Sequence, residues 1–74
     1  METYTEFLIF CKNIRTLRTS HGLSEREMAK TLRVSVKTLT QLENGILPPH
    51  VSASIILHLS KKFGIPPKDL FILL

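Results

Sequence analysis

Between Ser35 and Asn44 the chain reads SVKTLTQLEN, and the side chains there that could do chemistry are hydrogen-bond donors and acceptors rather than acids, bases or nucleophiles. If the segment is helical with Leu39 and Leu42 buried, then Ser35, Val36, Lys37, Thr40, Gln41 and Asn44 face outward. Each brings a different recognition chemistry. Gln41 can pair in bidentate fashion with adenine N6 and N7, and Lys37 can reach guanine O6 and N7 or a phosphate. Val36 offers only apolar contact, best met by a thymine methyl, whereas the hydroxyls of Ser35 and Thr40 suit either a base or a phosphate. A solvated helix face has the same composition, so the surrounding elements must decide between the two.

Catalytic sets are not visible. His21, His50 and His58 lack metal-ligand spacing and are explained more simply as a helix cap and two surface residues. Cys11 falls on an apolar helix face, where a small buried hydrophobe is the expected role. There are no paired carboxylates, no glycine-rich phosphate loop and no Ser/His/Asp set. The expectation is a protein without enzymatic activity, cofactor or metal.

The elements that must position the outward face begin at Leu23. Ser24 with Glu27 three residues on forms a capping box, in which each residue satisfies a backbone N–H of the other. A helix starting there carries Met28, Ala29 and Leu32 on one face and ends near Leu32, with Val34 following at the turn. Ser35 caps the next helix, and Asn44-Gly45 stops it, since both tolerate positive φ. Only about three residues separate the two apolar stripes.

Before this pair, Phe7, Phe10, Cys11, Ile14 and Leu17 recur at helical spacing and predict a helix over 3–20, closed by His21-Gly22. Leu8 and Ile9 point away from that stripe, as do Lys12, Arg15 and Arg18. After it, two prolines in Ile46-Leu47-Pro48-Pro49-His50 forbid helix continuation. Ser52 is expected to cap a fourth helix with the stripe Ile55, Ile56, Leu59 and Phe63, ended by Gly64. Pro67 at an N1 position and Asp69 in the first turn predict a short fifth helix. No β pattern, repeat, low-complexity segment or interdomain linker is present. The fold expected is all-α, a compact five-helix domain over 1–74 with a helix-turn-helix at about 24–44.

Size and charge agree. A chain of 74 residues is one domain that buries only about 60% of its unfolded surface, so its stability should be modest and a partner chain would help. The longest apolar run, Phe7 to Cys11, is far short of a membrane span. Glu2 and Glu6 replace the basic start of a secretory signal, so the chain is expected to be cytoplasmic. A single cysteine excludes an intrachain disulfide. Ten Lys and Arg against six Asp and Glu give a net charge of +4, which favours an acidic partner such as DNA.

The pattern resembles the phage lambda repressor and Cro family, the Xre-type regulators, from about Ile14 to Phe71. Leu42-Glu43-Asn44-Gly45 matches the end of that family's recognition helix. Ala29 stands at its small-residue position, and Met28, Leu32, Val34, Leu39 and Leu42 stand at its apolar ones. The resemblance implies a major-groove helix carrying Ser35, Val36, Lys37, Thr40 and Gln41 on bases. It implies phosphate contacts at Thr38, Asn44 and His50, joined by the helix N-termini at Ser24 and Ser52, whose N–H groups suit anions. It further implies that Arg18 pairs with Glu43 and braces the recognition helix against the first helix.

Four residues depart from the family pattern. Arg33 replaces the usual glycine at the turn, at a cost of about 1–2 kcal/mol if the backbone is left-handed there, so the turn is expected to be strained or rearranged. Ile46 and Leu47 occupy a place where the family often sets Lys or Arg against phosphate, and Glu25 stands where relatives often carry Gln. Weak non-specific affinity follows. The loop from Gly45 to Ser52 is also about two residues longer than the shortest family form.

The function expected is a sequence-specific regulator of transcription binding double-stranded DNA, a repressor by preference, acting as a homodimer on half-sites roughly 10 base pairs apart. Leu8, Ile9, Ile72, Leu73 and Leu74 are the expected dimer interface, with Ile46 and Leu47 as further apolar candidates. A second expectation, of another class, is a protein-interaction module such as an antitoxin or adaptor domain. A third is the DNA-binding part of a longer regulator.

Overall fold

A computed structural model describes residues 2–46 and 53–72, with side chains from Thr5 onward. Four α-helices follow in order, α1 Glu2–Ser20, α2 Glu25–Leu32, α3 Val36–Glu43 and α4 Ser54–Phe63. The last described element, Pro67–Phe71, is a 3₁₀ helix rather than a fifth α-helix. The reason is local. Five residues starting at a proline close with the i→i+3 bonds Asp69 N–H to Pro66 O and Ile72 N–H to Asp69 O, and the backbone is extended again at Ile72. No strand occurs among the described residues, and the all-helical class stands.

The core lies where the stripes meet. Ile14 of α1, Met28 and Leu32 of α2, Leu39 and Leu42 of α3, Leu59 of α4 and Leu70 of the 3₁₀ helix are all sealed from water. Phe10 stacks on Phe71 with ring centroids 5.1 Å apart, closing the C-terminal element onto α1. A polar residue sits inside this packing. Asn13 is 1% exposed and donates from Nδ2 to the carbonyls of Leu70 and Ile72 at 2.7 and 2.8 Å. Both amide hydrogens thus tie the end of the 3₁₀ helix to α1, which offsets the cost of burying the group.

Helices α2 and α3 pack against each other, separated by Arg33, Val34 and Ser35. The capping box at the start of α2 is complete. Ser24 N–H donates to Glu27 Oε1 at 2.9 Å and Glu27 N–H to Ser24 Oγ at 3.1 Å. These bonds hold the Glu27 carboxyl below the usual carboxylate range, the Ser24 backbone N–H contributing most. At the turn the backbone is not rearranged. Arg33 takes the left-handed conformation at φ 59, and Val34 N–H closes on Ala29 O. The Arg33 side chain is exposed, and the turn carries the intrinsic cost of a left-handed non-glycine residue.

The start of α4 differs from expectation. Its N-cap is Ala53, which makes no side-chain cap bond, and the helix begins at Ser54. The expected cap Ser52 lies outside the described residues, as do Leu47, Pro48, Pro49, His50, Leu73 and Leu74. The α4 residues Ile55 and Leu59 are buried and pack α4 across the end of α2, where His58 Nδ1 comes 3.3 Å from Leu32 O. At the other end of the helix, the His21 ring sets its edge against Phe63, with centroids 4.7 Å apart, while its Nδ1 lies 2.9 Å from Leu17 O. Among the described residues no helix is long and apolar enough to cross a membrane.

Candidate nucleic-acid interface

Helix α3 has two faces of different character. Leu39, Leu42 and Glu43 are buried, so the opposite stripe at about 100° per residue carries Lys37, Gln41, Asn44 and Thr40, with Val36 at its edge. Lys37, Thr40 and Asn44 are exposed, Val36 is 42% exposed and Gln41 is half-buried. The expected outward residues therefore share one side of one helix.

Their hydroxyls are less free than the sequence suggests. Ser35 is the N-cap of α3. Its Oγ accepts from Thr38 N–H and donates to Thr38 Oγ1, both at 3.0 Å, leaving one lone pair for a ligand. Thr38 is half-buried. Thr40 Oγ1 lies 2.9 Å from Val36 O and 3.1 Å from Glu25 Oε2, so the α2 carboxylate is tied to the outward face of α3. Among the described residues neither the Lys37 nor the Gln41 side chain meets a hydrogen-bond partner.

The end of α3 is closed by backbone and side chain together. Gly45 N–H bonds Leu42 O and Ile46 N–H bonds Gln41 O, with Gly45 left-handed at φ 77 while Asn44 stays at φ −97. Asn44 Nδ2 donates to Thr40 O at 2.9 Å. At Ser24 the capping box uses the hydroxyl and the Ser24 N–H, which leaves the Glu25 and Arg26 N–H groups as the open donors of that helix end.

Helix α1 braces α3 from behind. Arg18 Nε and Nη2 donate to Glu43 Oε2 and Oε1 at 2.7 and 3.1 Å, and Arg18 Nη1 reaches Leu23 O. The Glu43 hydrogen bond pushes the Arg18 guanidinium above its ordinary value. Arg15, which the sequence placed only on a polar side, also reaches this site. Its Nε is 3.4 Å from Glu43 Oε1 and its Nη2 is 3.4 Å from Asn44 Oδ1. The available signal was its i, i+3 spacing to Arg18. Asn13 was missed as well, although the same spacing places it between Phe10 and Leu17 on the buried stripe. Nearby, burial pushes the Cys11 thiol up to about 11, offset in part by a hydrogen bond from the Gly45 backbone.

Two helices with a three-residue turn, a polar outward stripe and a braced second helix define a helix-turn-helix. A family model described as helix-turn-helix matches residues 14–70. The chain belongs to the lambda repressor-like, Xre-type helix-turn-helix family. It is thus a DNA-binding helix-turn-helix regulator domain, and double-stranded DNA is its partner class. No curated protein and no solved structure matches the chain.

The described residues of the expected dimer interface, Leu8, Ile9 and Ile72, belong to α1 and to the end of the 3₁₀ helix. Leu8 is 40% exposed, yet one of its methyls packs over Gly45. Ile9 is half-buried and Ile72 is 59% exposed at the far end of the chain. His50 and Ser52 lie outside the described residues. No group of three or more His, Cys, Asp and Glu able to hold a metal occurs among the described residues.

Proposed function

We infer that this domain reads DNA sequence by laying α3 in the major groove, as a dimer that represses transcription by occluding a promoter in the cytoplasm. The observation that carries this is the stripe Lys37, Gln41, Asn44 on a helix whose opposite face is buried and ion-paired to α1. Lys37 and Gln41, whose head groups are unengaged among the described residues, are the main base readers, on guanine and adenine respectively. Val36 adds contact with a thymine methyl. Ser35 and Thr40, with hydroxyls shared with Thr38 and Glu25, contribute mainly through the shape of the face. Asn44 and Thr38 contact phosphate, with the first turn of α2 at Ser24 and the segment carrying His50 and Ser52 supplying further contacts.

One α3 spans only a few base pairs, so a two-fold site bound by two copies gives the needed specificity. Leu8, Ile9, Ile72, Leu73 and Leu74 are the apolar residues we assign to that contact. The test is selection from a random double-stranded DNA pool with the intact chain, Lys37→Ala and Gln41→Ala. Recovery of a two-fold motif whose positions relax separately in the two variants is the expected result. A folded protein that recovers no motif at low salt would overturn the assignment. It would favour a protein-binding module, for which the exposed Ile46, Leu57 and Ile72 are the supporting observation.

A further inference from the structure

The end of α3 gathers more positive charge than its carboxylate neutralises. Arg18 satisfies Glu43 with a close two-pronged contact and keeps its side chain only 17% exposed. Arg15 reaches the same carboxylate at 3.4 Å and keeps its side chain 53% exposed. Two guanidinium groups thus contact the Glu43 carboxylate, with Glu25 acting on Arg18 from further off, and the solvent-facing cation of the set is Arg15.

Its hydrogen-bonding capacity is also unspent. Of the five N–H donors of a guanidinium, Arg15 gives one to Glu43 Oε1 and one to Asn44 Oδ1, so about three meet no acceptor among the described residues. Asn44 is fixed in the complementary sense. Its Oδ1 accepts from Arg15 and one Nδ2 hydrogen goes to Thr40 O, which sets the amide orientation and leaves the second Nδ2 hydrogen for a ligand. Ile46, two residues on from Asn44 and 52% exposed, adds no charge, so the described cation at this end of α3 comes from α1.

We propose that Arg15 and Asn44 together form a phosphate clamp that anchors the C-terminal end of α3 on the DNA backbone, Arg15 supplying the charge and holding the Asn44 amide in its donating orientation. The clamp rests on the reading of α3 as the groove helix, whose stripe ends at Asn44. A planar guanidinium with free N–H groups matches two phosphate oxygens, and a neutral amide beside it adds a third bond. The competing role for Arg15 is structural, a cation complementing the C-terminal dipole of α3. That role would change stability without changing counterion release.

The experiment is binding of the intact chain to a random-sequence duplex of about 20 base pairs, followed by fluorescence anisotropy across a salt series. It is repeated with Arg15→Gln, Arg15→Lys and Lys68→Gln, the last being the same charge change on the 3₁₀ helix. Arg15→Gln should reduce the slope of log affinity against log salt by about 0.9 and weaken binding about tenfold at about 0.05 M salt. Lys68→Gln should leave the slope unchanged. Arg15→Lys should keep the slope and lose several-fold in affinity, and this arm decides the matter if Arg15→Gln does not fold. An intact slope in Arg15→Gln, equal losses in Lys68→Gln, or full affinity in Arg15→Lys would each overturn the clamp while leaving the DNA reading in place. Absence of any binding by the intact chain would overturn both.

Discussion

Helices α2 and α3 are each eight residues long and end in the same backbone motif, with a left-handed residue whose following N–H closes on a carbonyl of the last turn. At α2 that residue is Arg33 and at α3 it is Gly45. The difference lies in what covers each end. Arg33 is exposed, and a β-carbon there meets only the intrinsic cost of the backbone. Over Gly45 lies α1, and a β-carbon would come 2.9 Å from Leu8 Cδ2, with Cys11, Arg15 and Arg18 engaging the neighbouring residues. One end can spend its glycine on an ordinary residue; the other needs glycine for conformation and for space.

The comparison is broken most strongly by removing what ties α1 to the covered end. Glu43→Ala leaves Arg18, mostly buried, without its carboxylate and should cost about 2–3 kcal/mol in denaturant unfolding. A loss below about 1 kcal/mol would show that α1 covers this end by apolar packing alone. Gly45→Ala should cost about 2 kcal/mol, from the left-handed backbone and the displacement of Leu8. Leu8→Ala in the same chain should recover the packing part and not the backbone part, and a double-mutant cycle separates them.

At the open pair of ends the effects are smaller. Ser24→Ala removes the capping box and should cost about 1 kcal/mol. Because Glu27 is held below its ordinary carboxyl value, the box contributes fully above about pH 4.3 and is lost as pH falls through the lower folded value. Glu27→Gln should flatten that part of the acid titration of stability, and an unchanged profile would contradict it. Arg33→Gly should stabilise by about 0.5–1 kcal/mol, the relief of the left-handed strain exceeding the added chain entropy. If thermal unfolding instead shows a loss, the Arg33 side chain has a contact that outweighs its backbone.

The sequence went far for local structure because local structure is written in spacing. The Ser24 and Glu27 box, the Ser35 cap, the stops at Gly22, Gly45 and Gly64 and the apolar stripes each depend on residues within one or two turns of each other. Its failures were also local in kind. The five residues Pro67–Phe71 close with i→i+3 bonds as a 3₁₀ helix, and α4 starts at Ser54 behind an alanine cap. The outward stripe of α3 was legible from the same periodicity. The engagement of its hydroxyls was not, since whether Thr40 meets Glu25 depends on how α2 crosses α3.

By itself the sequence determined the four α-helices, the stop at Gly45, a buried apolar set and the family, because capping, periodicity and glycine conformation act over a few residues, while the expected fifth α-helix is a 3₁₀ helix. Beyond the expected Arg18–Glu43 pair, tertiary structure alone decided which polar side chains of α1 bond within the fold. Asn13 became a buried latch on Leu70 and Ile72, and Arg15 became the half-exposed cation beside Asn44. Both outcomes follow from segments far apart in the chain coming within hydrogen-bonding distance, and residue type and spacing carry no record of that distance.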